Sequence, residues 1–278
     1  MDDDLRAWQH EVRVLKAIAI GTMAEVDHAL DAFEADHAAM AIDVRHWHTI
    51  LHRSLHQFCT GKLTRARELA DEALTCATSA GITAAFSVRA AQEFMFHLAQ
   101  GTHVGLLPLL EASASDVGGS LMAESGRAVC VAGTPGREVE GQRLIAEVAK
   151  LAVGSATPYG APICAVLATG VDATTEPEVV TLLRDVLVPF DTISLVIGAG
   201  VANVGPAARA LAHLATDNDE RTARLRQAID EADHSGQLIW SVRYRRDLAE
   251  LTGDNEVLDD ARARAGGTEV ALLIDPEA

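Results

Sequence analysis

Three glycines, Gly21, Gly61 and Gly101, stand 40 residues apart, each closing an apolar helical pattern: Ala19-Ile20-Gly21, Cys59-Thr60-Gly61 and Ala99-Gln100-Gly101. A fixed period of this length marks stacked supersecondary units rather than one layered core. After each glycine a second helical pattern begins, near Met23, Leu63 and Val104. Each unit therefore reads as a helix, a glycine-containing turn and a return helix. The joint recurs less regularly at Ala132-Gly133, Thr169-Gly170, Thr216-Asp217-Asn218-Asp219 and Thr252-Gly253. Glycine, asparagine or aspartate at such points supplies the left-handed backbone that ends a helix.

Seven joints predict seven helical hairpins, at about 2–38, 43–79, 83–113, 119–153, 159–187, 204–234 and 237–264. The helices carry the apolar stripe this requires. Trp47, Leu51, Leu55 and Phe58 fall at i, i+4, i+8 and i+11, and Leu63, Ala66, Leu69, Ala70 and Ala73 do the same on the return helix. Alanine, the best helix former, supplies 49 of the 278 residues and lets helix axes approach closely. No single hairpin buries both of its faces, so the units must stack. The predicted fold is all-α: a right-handed, tetratricopeptide-like α-solenoid of about seven helical hairpins, forming one domain over residues 1–265.

Two stretches break the period. Residues 189–205 are β-branched and glycine-rich, and are expected to form an irregular extended connection with a short helical turn, laid across the solenoid between the fifth and sixth hairpins. In the tail, 266–278, Gly266-Gly267 precedes the apolar run Val270-Ala271-Leu272-Leu273-Ile274, which is expected to fold back and cap the last repeat.

Charge narrows the function. With 23 Lys and Arg against 40 Asp and Glu, the net charge of −17 excludes ordinary nucleic-acid binding, which rests on cationic side chains, and disfavours an anionic membrane surface. No apolar run approaches the roughly 18–20 residues that span a bilayer, and Met1-Asp2-Asp3-Asp4 lacks the basic region of a secretory signal, so a soluble, cytoplasmic protein is expected. Cysteines 59, 76, 130 and 164 are too far apart for a zinc knuckle or a CxxC pair and read as buried small hydrophobes.

Several motifs invite chemistry. Gly198-Ala199-Gly200-Val201-Ala202-Asn203 follows an apolar run and precedes a helix, as in a dinucleotide site. No second strand follows it, and Asn203 takes the third glycine position, so a structural connection is the better reading. His48, His52 and His56 lie one above another on a helix face, beside His46. Such a ladder could chelate a metal, with Cys59 or His97 as a further ligand, or line a groove as polar surface; the second is preferred and no metal is assigned. Arg243, Arg245 and Arg246 with Trp240 and Tyr244 form a basic spot that could read a carboxylate or phosphate, or pair with Asp247, Glu250 and Asp254. No GxSxG, HExxH or GxxxxGK[ST] motif is present, and no catalytic residue or cofactor is assigned.

Superposing the joints gives the expected groove. Positions 13, 9 and 5 residues before each glycine are Trp8, Val12 and Lys16, then His48, His52 and His56, then Val88, Gln92 and Phe96, with Trp240, Tyr244 and Leu248 at the far end. In a tetratricopeptide stack the first helix of each hairpin lines the inner curve, so Trp8, His48, His52, His56, Gln92, Phe96, Trp240, Arg243 and Tyr244 are the candidate ligand-groove residues.

The stretch 182–251, from Leu-Leu-Arg-Asp-Val-Leu-Val-Pro-Phe through Val-Ile-Gly-Ala-Gly-Val-Ala-Asn-Val-Gly to Trp-Ser-Val-Arg-Tyr-Arg-Arg-Asp-Leu, resembles the tetratricopeptide-like C-terminal region of actinobacterial LuxR-type regulators and ATPase-linked adenylate cyclases. Trp8, Gly21 and Gly61-Lys62-Leu63-Thr64-Arg65-Ala66 resemble the preceding repeats. The resemblance implies a sensor or scaffold role, without the ATPase module or the DNA-binding helices of that family. The expected function is a non-catalytic regulatory module that binds a partner protein, a peptide or a small ligand in its concave groove. The alternative is a small-molecule receptor or enzyme using the His48/His52/His56 face or the Arg243/Tyr244 spot.

Overall fold

Amphipathic alanine-rich segments and the joints between them build fourteen α-helices among the described residues, which in this computed structural model are 3–37, 43–113, 121–154 and 160–274. Positions 2 and 38 of the first expected hairpin, 119–120 and 159 at the starts of the fourth and fifth, and 275–278 of the tail lie outside them. The helices come in seven successive pairs. They are α1 (Asp3–Ile20) and α2 (Met23–His37), α3 (Asp43–Cys59) and α4 (Leu63–Ser79), α5 (Ala85–Gln100) and α6 (Leu107–Ser113), and α7 (Leu121–Ala132) and α8 (Glu138–Gly154). Then follow α9 (Gly160–Ala168) and α10 (Pro177–Leu187), α11 (Ala207–His213) and α12 (Asn218–Ser235), and α13 (Leu238–Thr252) and α14 (Asn255–Ala265).

The joints are not all alike. Gly61 has φ +82°, its N–H donates to Phe58 O at 3.0 Å, and Lys62 N–H donates to Gln57 O at 2.9 Å, the paired bonds of a left-handed helix stop. Gly21 instead continues the helix, donating to Ala17 O at 2.9 Å. There the restart is made by Thr22, whose hydroxyl accepts from Glu25 N–H while the Glu25 carboxylate accepts from Thr22 N–H at 2.7 Å, a reciprocal cap. In the third unit a 3-10 turn over His103–Leu106 precedes α6, which packs on α7.

Successive helices pack on one another along the chain. Small residues bring them close: a Cβ added at Gly141 would lie 2.2 Å from the Ala132 Cα, so α7 and α8 touch backbone to backbone. Charge joins others, as where Arg53 of α3 binds Asp27, Asp31 and Glu34 of α2. Arg245 of α13 likewise bridges Asp233 of α12 and Asp260 of α14.

Between α10 and α11, where an irregular connection is expected over 189–205, the segment is more ordered than that. β1 (Ser194–Ile197) and β2 (Ala202–Pro206) form a two-stranded antiparallel hairpin, pairing Ser194 with Pro206 and Ile197 with Ala202 around a bulge. It contacts α1, α3, α5, α9, α11 and α12, and α13 returns to pack on α3 and α5. The hairpin thus lies inside the helical layers, with every residue of β2 buried. A polar chain fixes it there: Asn203 Nδ2 donates to Gln237 Oε1 at 3.1 Å, Gln237 Nε2 donates to Ser194 Oγ at 2.8 Å, and the Asn203 carbonyl accepts from Gly205 N–H. Asn203 therefore has a structural task, and the antiparallel pairing is incompatible with a dinucleotide fold.

The tail forms a 3-10 turn over Glu269–Leu273 that packs on α13 and α14 and also reaches α4 and α5. Val270 and Leu273 are buried, Arg246 donates to Leu273 O at 2.7 Å, and the Glu269 carboxylate accepts from Thr64 N–H. The tail thus lies on the last pair and also ties it to the second. No helix among the described residues is long and apolar enough to cross a membrane.

Candidate functional site

The residues expected to line an open groove mostly do turn inward, but the space they face is filled by the β-hairpin. His52 is 0% exposed and its Nε2–H donates to Ala199 O at the hairpin tip at 2.7 Å. Gly200, at φ +80°, sits so close to the His52 ring that a Cβ there would lie 2.4 Å away. At the other end of the hairpin, a Cβ on Gly205 would lie 2.0 Å from Tyr244 Oη and 3.1 Å from the Trp240 ring. Trp240 and Tyr244 stack at 5.7 Å and are both 0% exposed, and Phe58 meets Phe96 and Trp240 edge to face. The aromatic and imidazole stripe is therefore core: His52, Phe96, Trp240 and Tyr244 line no open groove while the hairpin is seated, and Gln92, 4% exposed, borders only a small void beside Val201. The physical reason is burial: a β-branched segment of the same chain covers the apolar wall better than solvent does.

This wall is incompletely satisfied. Among the described residues, His52 Nδ1, Gln92 Oε1, Trp240 Nε1 and Tyr244 Oη are buried with no hydrogen-bond partner. Burial pushes the His52 pKa down to about 4 and that of the Tyr244 phenol well above its ordinary value, so both are neutral. Burial likewise pushes the Cys59 thiol up to about 12, as suits an unreactive core residue.

The other expected groove residues lie elsewhere. Trp8 is 62% exposed and stands clear of the hairpin. The α1 helix meets the hairpin tip through Leu15, six residues before Gly21, where α3 uses His52, nine before Gly61. The three-residue offset is about one turn, and superposing the joints could not reveal it. His48 pairs with Glu11 at 2.9 Å, and His56 Nε2–H donates to Met23 O at 3.1 Å, so the three rungs of the histidine ladder bind three different partners. No group of three His, Cys, Asp or Glu side chains among the described residues could hold a metal ion. Arg243 and Tyr244 point apart: Arg243 donates to Ala99 O at 2.9 Å and to Asp247 at 2.8 Å. Burial would raise the Asp247 pKa, yet Arg209 and Arg243 hold it below its ordinary value. That spot is a buried ion cluster joining α5, α11 and α13.

An apolar opening lies beside the hairpin tip. A pocket of about 170 Å³ lies between α5, α6, α7 and the hairpin, walled by Phe94, Leu110, Met122, Ile197 and Val201. Of the superposed register only Val88 lines it. The rest come from segments far apart in sequence, and the one local signal is small residues at facing positions, Ala90 and Ala91 on α5 against Ala123 and Gly126 on α7. No family model matches the chain, and no curated protein and no solved structure matches it either.

Proposed function

We propose that the chain is a non-catalytic regulatory interaction module, a tetratricopeptide-like solenoid whose inner face holds an extended peptide segment. At rest the hairpin 194–206 occupies that face, and a partner's segment of similar character, β-branched and glycine-containing, competes for the place. The observation that carries this reading is the set of four unpartnered polar atoms on the wall, on His52, Gln92, Trp240 and Tyr244. Buried polar groups are nearly always paired, so a wall offering more hydrogen-bonding capacity than its occupant uses suits more than one occupant. The resemblance to the helical region of LuxR-type regulators and ATPase-linked cyclases points the same way, toward control of a partner protein in the cytoplasm. The histidine face and the Arg243 cluster do not support the enzyme reading, because His48, His56 and Arg243 are engaged by Glu11, Met23 O and Asp247 and His52 is buried under the hairpin tip.

The test loosens the hairpin and supplies it in trans. In Gly200→Ala the new methyl collides with the His52 ring and the tip is displaced. A fluorescein-labelled peptide copying residues 192–206 binds this variant at least tenfold more tightly than the wild type, read by fluorescence anisotropy. Equal affinity for both proteins, with unchanged circular dichroism, refutes the reading.

A further inference from the structure

The pocket at the hairpin tip is distinct from the seat of the hairpin, and what it offers is chemically simple. None of the residues lining it is charged. Elsewhere in this chain small residues bring helices into contact, as Gly141 does against Ala132. Here Ala90 and Ala91 on α5 and Ala123 and Gly126 on α7 face a void instead, and the Phe94 ring, 3.3 Å from where a Gly126 Cβ would stand, forms part of its wall. The volume of about 170 Å³ is close to that of an engineered apolar cavity of ~150 Å³ that takes benzene. Val88, Leu110, Met122, Ile197 and Val201 make the rest of the lining apolar save for Ser87, whose hydroxyl already donates to Ala84 O at 2.9 Å, and the flexible thioether of Met122 adapts to an aromatic ring.

A second observation gives the ligand a polar end. Val201 separates the pocket from a smaller void of about 10 Å³, lined by Ser54, Gln92 and Phe96 among others. Gln92 is 4% exposed and its Oε1 has no partner. A void of that size is at the lower limit for a single water, so a hydroxyl or N–H group fits where a larger one does not. Val201 is half-buried, directly follows Gly200 of the tip and lines both spaces.

We infer that this pocket binds an uncharged, ring-sized apolar molecule bearing one hydrogen-bond donor, with the ring between α5 and α7 and the donor on Gln92 Oε1. A charged ligand is disfavoured by the lining, and an anionic one also by the net charge of −17. The inference shares only Gln92 Oε1 with the peptide-competition reading; the ring site between α5 and α7 lies apart from the seat of the hairpin, so the two tests fail separately.

Phenol and toluene, alike in size but only one a donor, are the probes, titrated into the wild-type protein by calorimetry. Phenol is expected to bind saturably and at least fivefold more tightly than toluene. Gln92→Leu should erase that difference while retaining toluene binding. Ala123→Leu, which fills the pocket from α7, should weaken both at least tenfold, and Ala91→Leu should do the same from α5 if the first variant is poorly folded by circular dichroism. Absence of saturation by either probe, equal affinity of the wild type for both, or binding that survives both pocket-filling substitutions overturns the proposal.

Discussion

Tyr244 makes the packing around the hairpin measurable. Its ring is fully buried between Trp240 and the Arg209 guanidinium, which lies 5.5 Å from the ring centroid, while Oη has no partner. An unsatisfied buried hydroxyl costs about 1–3 kcal/mol, so Tyr244→Phe, which keeps the ring and removes the oxygen, should stabilise the protein by about 1 kcal/mol after a small packing loss. Gly205→Ala should do the opposite. At φ +89° a left-handed alanine costs roughly 1–2 kcal/mol, and a methyl 2.0 Å from Tyr244 Oη and 3.1 Å from Trp240 adds an overpacking cost of about 1–3 kcal/mol. Reduced freedom of the unfolded chain returns about 0.4–1 kcal/mol, leaving a loss of about 3 kcal/mol.

The two changes share one contact, so they should couple. In the Tyr244→Phe background the shortest clash disappears and the Trp240 contact stays, so the cost of Gly205→Ala should fall by about 1–2 kcal/mol. Urea unfolding followed by circular dichroism at 222 nm gives all four corners of the cycle, with the slope checked for constancy. The reasoning fails if Tyr244→Phe destabilises the protein by 1 kcal/mol or more, since Oη then has a partner, or if the two substitutions are additive.

Gly61→Val should cost about 3 kcal/mol in the same assay, because a Cβ at φ +82° would lie 2.5 Å from Val270 and 3.1 Å from Leu238; an unchanged midpoint would mean that the tail is not seated on this joint. Burial lowers the His52 pKa from 6.5 to about 4, so its contribution, about 3 kcal/mol, is complete above pH 6.5 and is lost as pH falls toward 4; His52→Gln should flatten the stability profile in that window, and an identical acid limb would refute this. Glu231 behaves in the reverse sense. Burial first, and then Asp191, push its pKa up to about 7, so the wild type loses stability as pH rises from 4.5 to 7. Discounted for partial solvation, Glu231→Gln should be more stable than the wild type by about 1–2 kcal/mol at pH 8 and equal to it at pH 4, which paired urea titrations would reveal.

What could be read from the sequence was local. The starts of α2 at Met23 and α4 at Leu63 follow from single joints, and the inward face of α3 and α13 follows from superposing the joints. The fate of that face did not follow. His52, Gln92, Trp240 and Tyr244 looked like a groove because large polar and aromatic residues replaced alanine there, and they are large because they must pack a hairpin that arrives 140 or more residues after His52. Its sequence announced an extended segment, yet nothing in Ser194–Pro206 specifies which helices it touches. The offset of α1 was hidden for a related reason: Gly21 and Gly61 occupy equivalent positions in the period while having different backbone conformations. The pocket was least legible, being defined by side chains of four elements and by the absence of bulk at Ala91, Ala123 and Gly126.

The hairpin also changes what kind of object the helical pairs make. In an open stack each unit contacts only its neighbours, so stability is a sum of local terms and the ends fray independently. Here α13 rests on α3 and α5, the tail touches α4 and α5, and the hairpin reaches α1, α3, α5, α9, α11 and α12. Contacts that close such long loops gain little from proximity in sequence, because loop entropy must first be overcome, but once formed they make distant units depend on one another. Displacing the hairpin would expose apolar surface on six helices together and remove the wall on which α13 lies. On the proposed reading, exchange of this segment for a partner's is a change that the whole helical assembly registers, whereas a molecule entering the pocket at the tip meets α5, α6, α7 and, of the hairpin, Ile197 and Val201. If the proposed ligand binds there it touches the hairpin at Ile197 and Val201 alone, so it would shift that proposed exchange only as far as its affinity differs between the seated and the displaced hairpin.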